Sequence, residues 1–134
     1  MSQENVEIVR RTYQAWNRRD FDEAAELLAP DIEWRMPSNL PDAETWRSSE
    51  EVMHGLDVFL ESWDRLHVEV QEYLDAGDRV VALLRYSGRA AITGIELEGA
   101  AVDAAVWTLR GGKVVKVEMY GDTSEALEAA GLRE

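Results

Sequence analysis

The main change in the hydrophobic period of this chain comes near residue 66. Before it apolar residues recur mostly at spacings of three and four, with one alternating stretch; from His67 they recur at two up to the last helical segment. The first spacing is that of helices packed by one face, the second that of half-buried strands. A chain that runs helices first and strands afterwards is constrained to an α+β fold.

The helical half divides at its caps. Ser2 caps a first helix with Glu4 in its first turn, and Val6, Val9, Tyr13 and Trp16 mark its buried face. Arg18 and Arg19 suit its C-terminal end. Asp20, with Glu23 three residues on, is a capping box opening a short second helix. Ala24, Leu27 and Leu28 form its buried stripe, and Pro30 is expected to end it. "DIEWRMP" alternates Ile32, Trp34 and Met36 against Glu33 and Arg35, a strand closed by Pro37. A polar loop from Ser38 to about Ser48 holds Pro41 and Trp46. "SSEEVMHG" offers a capping signal and a turn, and "LDVFLESWDRL" a third helix with Leu56, Phe59, Leu60 and Trp63 on one face.

Four strands follow, expected to be antiparallel: "HVEVQEYL", "RVVALLRYSGRAAI", "LEGAAVDAAVWTL" and "KVVKVEMYGD", separated by the turns "DAGD", "TGIE" and "RGGK". In the last of them Val115, Val117 and Met119 form an apolar row. "DTSEALEAAGL" closes the chain as a helix, with Asp122 as cap, Glu125 at the third position and Gly131 as stop. There is no internal repeat or linker, so residues 1–134 are expected to be one domain. A sheet curled around the three helices of the N-terminal half makes an open cone. Its other face also carries apolar residues, with Leu84, Val106 and Val114 assigned there, so a homodimer through the outer face of the sheet is expected.

Composition narrows function. The net charge of −13 argues against nucleic acid, whose phosphates need a basic face, and against anionic membranes. The hydrophobic fraction of 46% supports a real core. There is no cysteine, hence no disulfide or thiol nucleophile. No apolar run approaches the ~20 residues of a membrane span, and "MSQENVEIVRR" lacks the pattern of a signal peptide, so a cytoplasmic location is expected. His54, before Gly55 in the expected turn, and His67, at the expected start of a strand, lack metal-ligand spacing, so no metal is expected. "RGG" and "TG" match no nucleotide fingerprint, and no cofactor is expected.

"YQAWNRRDFDEAAELLAPDIEW", "HG", "VWTLRGGKVVKVEMYGD" and "EALEAAGL" together resemble the SnoaL-like group of the NTF2-like superfamily. The resemblance covers nearly the whole chain. It implies the cone-shaped α+β fold and a range of activities: ketosteroid isomerases, polyketide cyclases, epoxide hydrolases, dehydratases and non-catalytic binding proteins. Fold alone therefore does not choose a function.

The catalytic positions that the resemblance implies are mostly occupied by inert residues. The isomerase base position, before the proline that ends the first strand, holds Met36. The position of the oxyanion acid holds Ala105, and that of the helix-one tyrosine holds Thr12, with Tyr13 next to it. The last-strand carboxylate of the hydrolases is Met119 here, and their Arg-x-Asp pair becomes Arg85 and Ser87. A methionine takes no proton and an alanine donates none. Asp103 shares the alternation of Ala101, Ala105 and Trp107, so if Trp107 points into the cone Asp103 is expected to do so. Asp103 is the candidate general acid or base, with Arg85 as its partner and Tyr13 as a hydroxyl in the cavity. Trp16, Trp34, Met36, Phe59, Trp63, Ser87, Trp107, Val117 and Met119 are expected to line a pocket for a small hydrophobic molecule. Such a pocket suits cofactor-free isomerisation, cyclisation or dehydration through Asp103. The alternatives are a non-catalytic binding or dimeric interaction module, and a hydrolase using Arg85 and Asp103.

Overall fold

The computed structural model describes residues 2–35, 45–61, 63–90, 96–98, 104–120 and 123–132; of these, 2, 59, 60, 63–66, 86–90 and 96–98 are described by backbone alone. The element order is α1 (Ser2–Asn17), α2 (Phe21–Glu26), β1 (Leu28–Arg35), β2 (Thr45–Trp46), α3 (Ser49–Glu61), β3 (Trp63–Ala76), β4 (Arg79–Ala90), β5 (Glu96–Glu98), β6 (Ala104–Arg110), β7 (Lys113–Tyr120) and α4 (Thr123–Ala129). The curved sheet runs β2-β1-β7-β6-β4-β3, with β5 also paired to β4. No helix among the described residues is long and apolar enough to cross a membrane.

Side-chain caps set the helix starts. Asp20 accepts the Glu23 backbone N–H at 3.2 Å, as the capping box predicts. Ser48 caps α3 by accepting from the Glu51 N–H at 3.0 Å. That cap starts α3 within the stretch expected to be a turn, which places His54 in the helix, and α3 ends at Glu61. Trp63, expected on the helix, instead opens β3 and pairs with Ala90 of β4. The reason is the ladder from Trp63↔Ala90 to Ala76↔Arg79, which satisfies more backbone groups than one further helical turn would. His67 consequently lies within β3 rather than at its start.

Two other boundaries move for the same kind of reason. Val114 N–H donates to the Leu27 carbonyl at 3.0 Å, so the chain leaves α2 and extends at once along β7. Pro30 therefore lies inside β1, not at a helix end, in the stretch between Leu28 and Glu33 where the β1–β7 register shifts. A residue without an N–H fits such an irregular stretch. The four strands expected to be antiparallel, β3, β4, β6 and β7, pair so; β1 joins β7 in parallel, and the β1–β2 and β4–β5 pairs are antiparallel.

The sheet separates two apolar layers. Its inner face packs Val80, Ala82, Leu84, Ala105, Trp107, Leu109, Val114, Val117 and Met119 against Val9 and Tyr13 of α1 and Val52 of α3. Its outer face places Val81, Ala104 and Val106 under Ala126 and Ala130 of the C-terminal segment. This corrects the outer-face assignment in two ways. Leu84 and Val114 belong to the inner layer, and Val106 is on the outer face but covered by α4. Val114 changes side because β7 carries a bulge: Thr108 pairs with Lys116 and Leu109 with Val114, leaving Val115 as the extra residue. The expected row of Val115, Val117 and Met119 is thus broken, and Val114 takes the place of Val115.

Candidate functional site

Strand register assembles the inner face into cross-strand rows. Trp46 pairs with Trp34, Trp34 with Val117, Val117 with Trp107, and Trp107 with Val80. Directly paired residues project to the same side of a sheet, so three tryptophans share one band that crosses five strands. The neighbouring band runs Met119, Ala105, Ala82 and Tyr73.

At the centre stands Trp107, 1% exposed. Its ring meets Tyr13 edge-on, centroids 5.2 Å apart at 66°, and Trp34 at 5.6 Å and 77°. T-shaped contacts place the positive ring edge of one residue against the negative face of the next. Each indole nitrogen has a polar partner as well. Trp107 Nε1 donates to Tyr13 Oη at 3.1 Å, and Trp34 Nε1 donates to Met119 Sδ at 3.2 Å. Among the described residues no buried side-chain nitrogen or oxygen is left without a partner. The described residues of this cluster carry no ionised group.

The two hydroxyl candidates on α1 separate cleanly. Thr12 Oγ1 donates to the Ile8 carbonyl at 2.9 Å and is absorbed by the helix backbone. Tyr13 is the hydroxyl that enters the interior. Ala105 and Met119, where the resemblance implied acids, both face inward and are buried.

Of the residues expected to line the pocket, Tyr13, Trp34, Trp107, Val117 and Met119 are brought together. Trp16 borders the cluster, half-buried, and packs edge-on against Phe21 at 5.6 Å. Phe59 lies in α3, Trp63 opens β3, and Ser87 in β4 pairs with His67 and Glu98; their side chains lie outside the described part of the structure. Met36 and Asp103 lie outside the described residues. Arg85 does not join the cluster. It is exposed, and it follows Leu84 in a strand where Val80, Ala82 and Leu84 face inward and Val81 and Leu83 outward. Strand alternation turns it to the outer face.

Trp46, in a stretch whose sequence predicts a polar loop, extends the tryptophan band and packs on α3. A Cβ at Gly55 would lie 2.4 Å from Trp46 Cζ2, so glycine is what lets the indole seat on the helix. Asn17 was also missed: its amide pairs with both backbone groups of Val68. Nothing in local periodicity announces either contact, because each joins distant elements.

The outer face of β1 and β7 is charged. Glu33 pairs with Arg47 at 3.2 Å and Arg35 at 3.6 Å, and Glu118 lies 3.9 Å from Arg35 and 4.0 Å from Lys116. Tyr120 Oη donates to Glu118 Oε2 at 3.1 Å. Burial first, then the Glu118 carboxylate, raises the Tyr120 phenol above its ordinary value.

The sequence profile described as the SnoaL-like domain matches residues 9–117. Among solved structures, an NTF2-like protein from Burkholderia thailandensis is 34% identical, with 90% of this chain and 95% of that one covered and a TM-score of 0.77. A putative SnoaL-like polyketide cyclase from Jannaschia sp. CCS1 shares 23% identity over 99% and 94% of the two chains, TM-score 0.78. TerC, co-crystallised with polyporic acid, shares 22% over 96% and 98%, TM-score 0.77; likeness at these two lower identities is likeness of fold. No curated protein matches the chain. With the profile spanning most of the sequence and the helix-filled curved sheet in place, the chain belongs to the SnoaL-like family of the NTF2-like superfamily.

Proposed function

We propose that the protein binds a small, flat, apolar organic molecule against the inner face of its sheet, with Tyr13 and Trp107 as the polar pair among aromatic walls. One observation carries this reading: a phenol and an indole N–H meet at 3.1 Å inside an otherwise apolar cluster. Binding sites of this type combine apolar walls with a few fixed polar groups. The co-crystal of TerC with polyporic acid supports the ligand class, since that protein has the same fold.

Turnover, where it occurs, is assigned to Asp103 as acid or base, in a cofactor-free isomerisation, cyclisation or dehydration. Apolar walls around a carboxyl raise its proton affinity by desolvation, and this is the setting that proton transfer by Asp103 near neutrality would require. A second reading, a binder without chemistry, is favoured by buried Ala105 and Met119 at positions where the resemblance implied carboxylates. The hydrolase reading needs Arg85 beside Asp103 on the inside, and the outward turn of Arg85 removes its support.

Binding is tested with Nile red and with polyporic acid, followed by probe emission and tryptophan quenching. Parent protein is expected to bind, and Trp107→Leu to bind about ten-fold more weakly. Absence of binding by either probe to the parent would sink the reading. Asp103→Asn separates the two versions: the variant binds but no longer converts the ligand if Asp103 is catalytic, whereas a parent that binds without converting carries the second reading.

The proposal extends to a homodimer on the charged part of the outer face, where acidic and basic side chains alternate. A two-fold pairing can set each sign against its opposite. Sedimentation velocity should show a dimer that Glu118→Lys weakens; a monomer at all concentrations would refute it.

A further inference from the structure

β3 is the last strand of the sheet, so among the described residues one of its long sides has no neighbouring strand. Such an edge leaves alternate backbone N–H and C=O groups open. At Val68 a single side chain takes both. Asn17 Nδ2 donates to the Val68 carbonyl at 2.8 Å, and the Val68 N–H donates to Asn17 Oδ1 at 3.0 Å. The amide thus imitates one residue of a neighbouring strand, and it does so from the last residue of α1.

Tyr13 lies one turn earlier on α1, at the i, i+4 spacing that puts two residues on the same helix face. The Val68 side chain lies in the same buried cluster as Tyr13 and Trp107. Two bonds to one point of β3 fix the end of α1 both along the sheet and across it. The other end of the helix is anchored separately: Asn5 Nδ2 donates to the Gly77 carbonyl at 3.0 Å, and the Arg10 guanidinium stacks 4.9 Å from the Tyr73 ring centre. Loss of Asn17 therefore frees the Tyr13 end while the helix stays docked.

We propose that Asn17 is a positioning residue for the inner-face site, setting the meeting of Tyr13 Oη with Trp107 Nε1. This rests on the inner face being the binding site, but the Tyr13–Trp107 contact can be read without a ligand. The amide is specific for the job. An ionised carboxylate only accepts, so Asp at this position would accept from the Val68 N–H yet face the Val68 carbonyl with a lone pair. A protonated carboxyl donates and accepts as the amide does.

The test follows the Trp107 indole N–H in ¹⁵N-labelled protein, assigned with Trp107→Phe, in the parent, Asn17→Ala and Asn17→Asp. Spectra run from about pH 7 to about pH 4.5, the span in which a partly buried carboxyl takes up its proton. The charged neighbours are Arg18, which pairs with Glu23, then Arg19 and Asp20, and on the sheet His67 and Glu69 beside Val68, with Arg85 opposite Glu69. Their titration is read in the parent and subtracted. Asn17→Ala is expected to shift the Trp107 resonance and speed its exchange by about ten-fold. Asn17→Asp is expected to show the same shift at pH 7 and to return to the parent position on acidification. Nile red affinity should follow, falling about three- to ten-fold at pH 7. The proposal is overturned if both variants keep the parental Trp107 resonance at pH 7 while only their melting temperatures fall. Should Asn17→Ala not fold, an Asn17→Asp resonance that moves with pH no more than the parent overturns it equally. If Nile red does not bind the parent but the Trp107 resonance tracks residue 17, the positioning role stands and the ligand reading alone fails.

Discussion

Trp107 and Tyr13, separated by 94 residues in sequence, share a 3.1 Å hydrogen bond and an edge-on ring contact inside the fold. The indole is nearly sealed from water at 1% exposure, so its N–H has no solvent to fall back on. A buried donor stripped of its partner costs the desolvation of that group, about 1–3 kcal/mol.

Tyr13→Phe should therefore destabilise the protein by about that amount, as read from urea unfolding midpoints. Trp107→Phe removes the donor as well, and the double variant should be less destabilised than the sum of the singles. Additive single effects would show that the hydrogen bond contributes little.

Gly55→Ala sets two effects against each other. Alanine favours a helix interior by about 1 kcal/mol over glycine. Its Cβ, however, would meet the Trp46 ring at 2.4 Å, and overpacking typically costs 1–3 kcal/mol. Steric conflict is expected to win, lowering stability and shifting tryptophan emission to the red as Trp46 leaves its seat. In a Trp46→Leu background the same substitution should become neutral or stabilising, which chemical denaturation checks.

Two tyrosines should titrate late. Burial raises both Tyr73 and Tyr120 above 10.0; Arg10 partly offsets this for Tyr73, while Glu118 adds to it for Tyr120. A group whose folded value is raised contributes stability that is complete below the unfolded value and lost as pH rises through the folded one. Stability should thus decline above about pH 10. Ultraviolet titration of the phenolates should show a late component that Tyr73→Phe and Tyr120→Phe each reduce. Glu118→Gln should bring the Tyr120 part of it earlier.

Ala126→Asp tests the cover on the outer face. Ala126 is 0% exposed against Val81, Ala104 and Val106. A carboxylate there is either buried unpaired or lifts α4 off the sheet, at a cost of several kcal/mol. Association beyond the parental state in sedimentation is expected once that apolar patch is uncovered. Parental stability together with the parental association state would show that α4 does not cover it.

Much of this architecture is legible in the residues. The spacing of Val6, Val9 and Tyr13 marks α1, Asp20 and Glu23 announce their own cap, and the alternation through Ala105 and Trp107 gives the correct inward face of β6. These are local signals: a cap or a period acts over a few neighbouring residues, so it is written in them. The shared motifs also place the chain in its family.

Tertiary pairing decided the rest. The β3–β4 ladder turned Trp63 from helix to strand, the β1–β7 pairing drew Pro30 into a strand, and one bulge at Val115 exchanged the faces of β7 upstream of it. The outward turn of Arg85, the seat of Trp46 on Gly55, the Asn17 clamp and the Tyr13–Trp107 bond likewise depend on elements far apart in the chain. Period and propensity describe what a segment prefers alone; which backbone groups and which rings it meets is chosen by the free energy of the whole packed sheet, and a single inserted residue reverses a face.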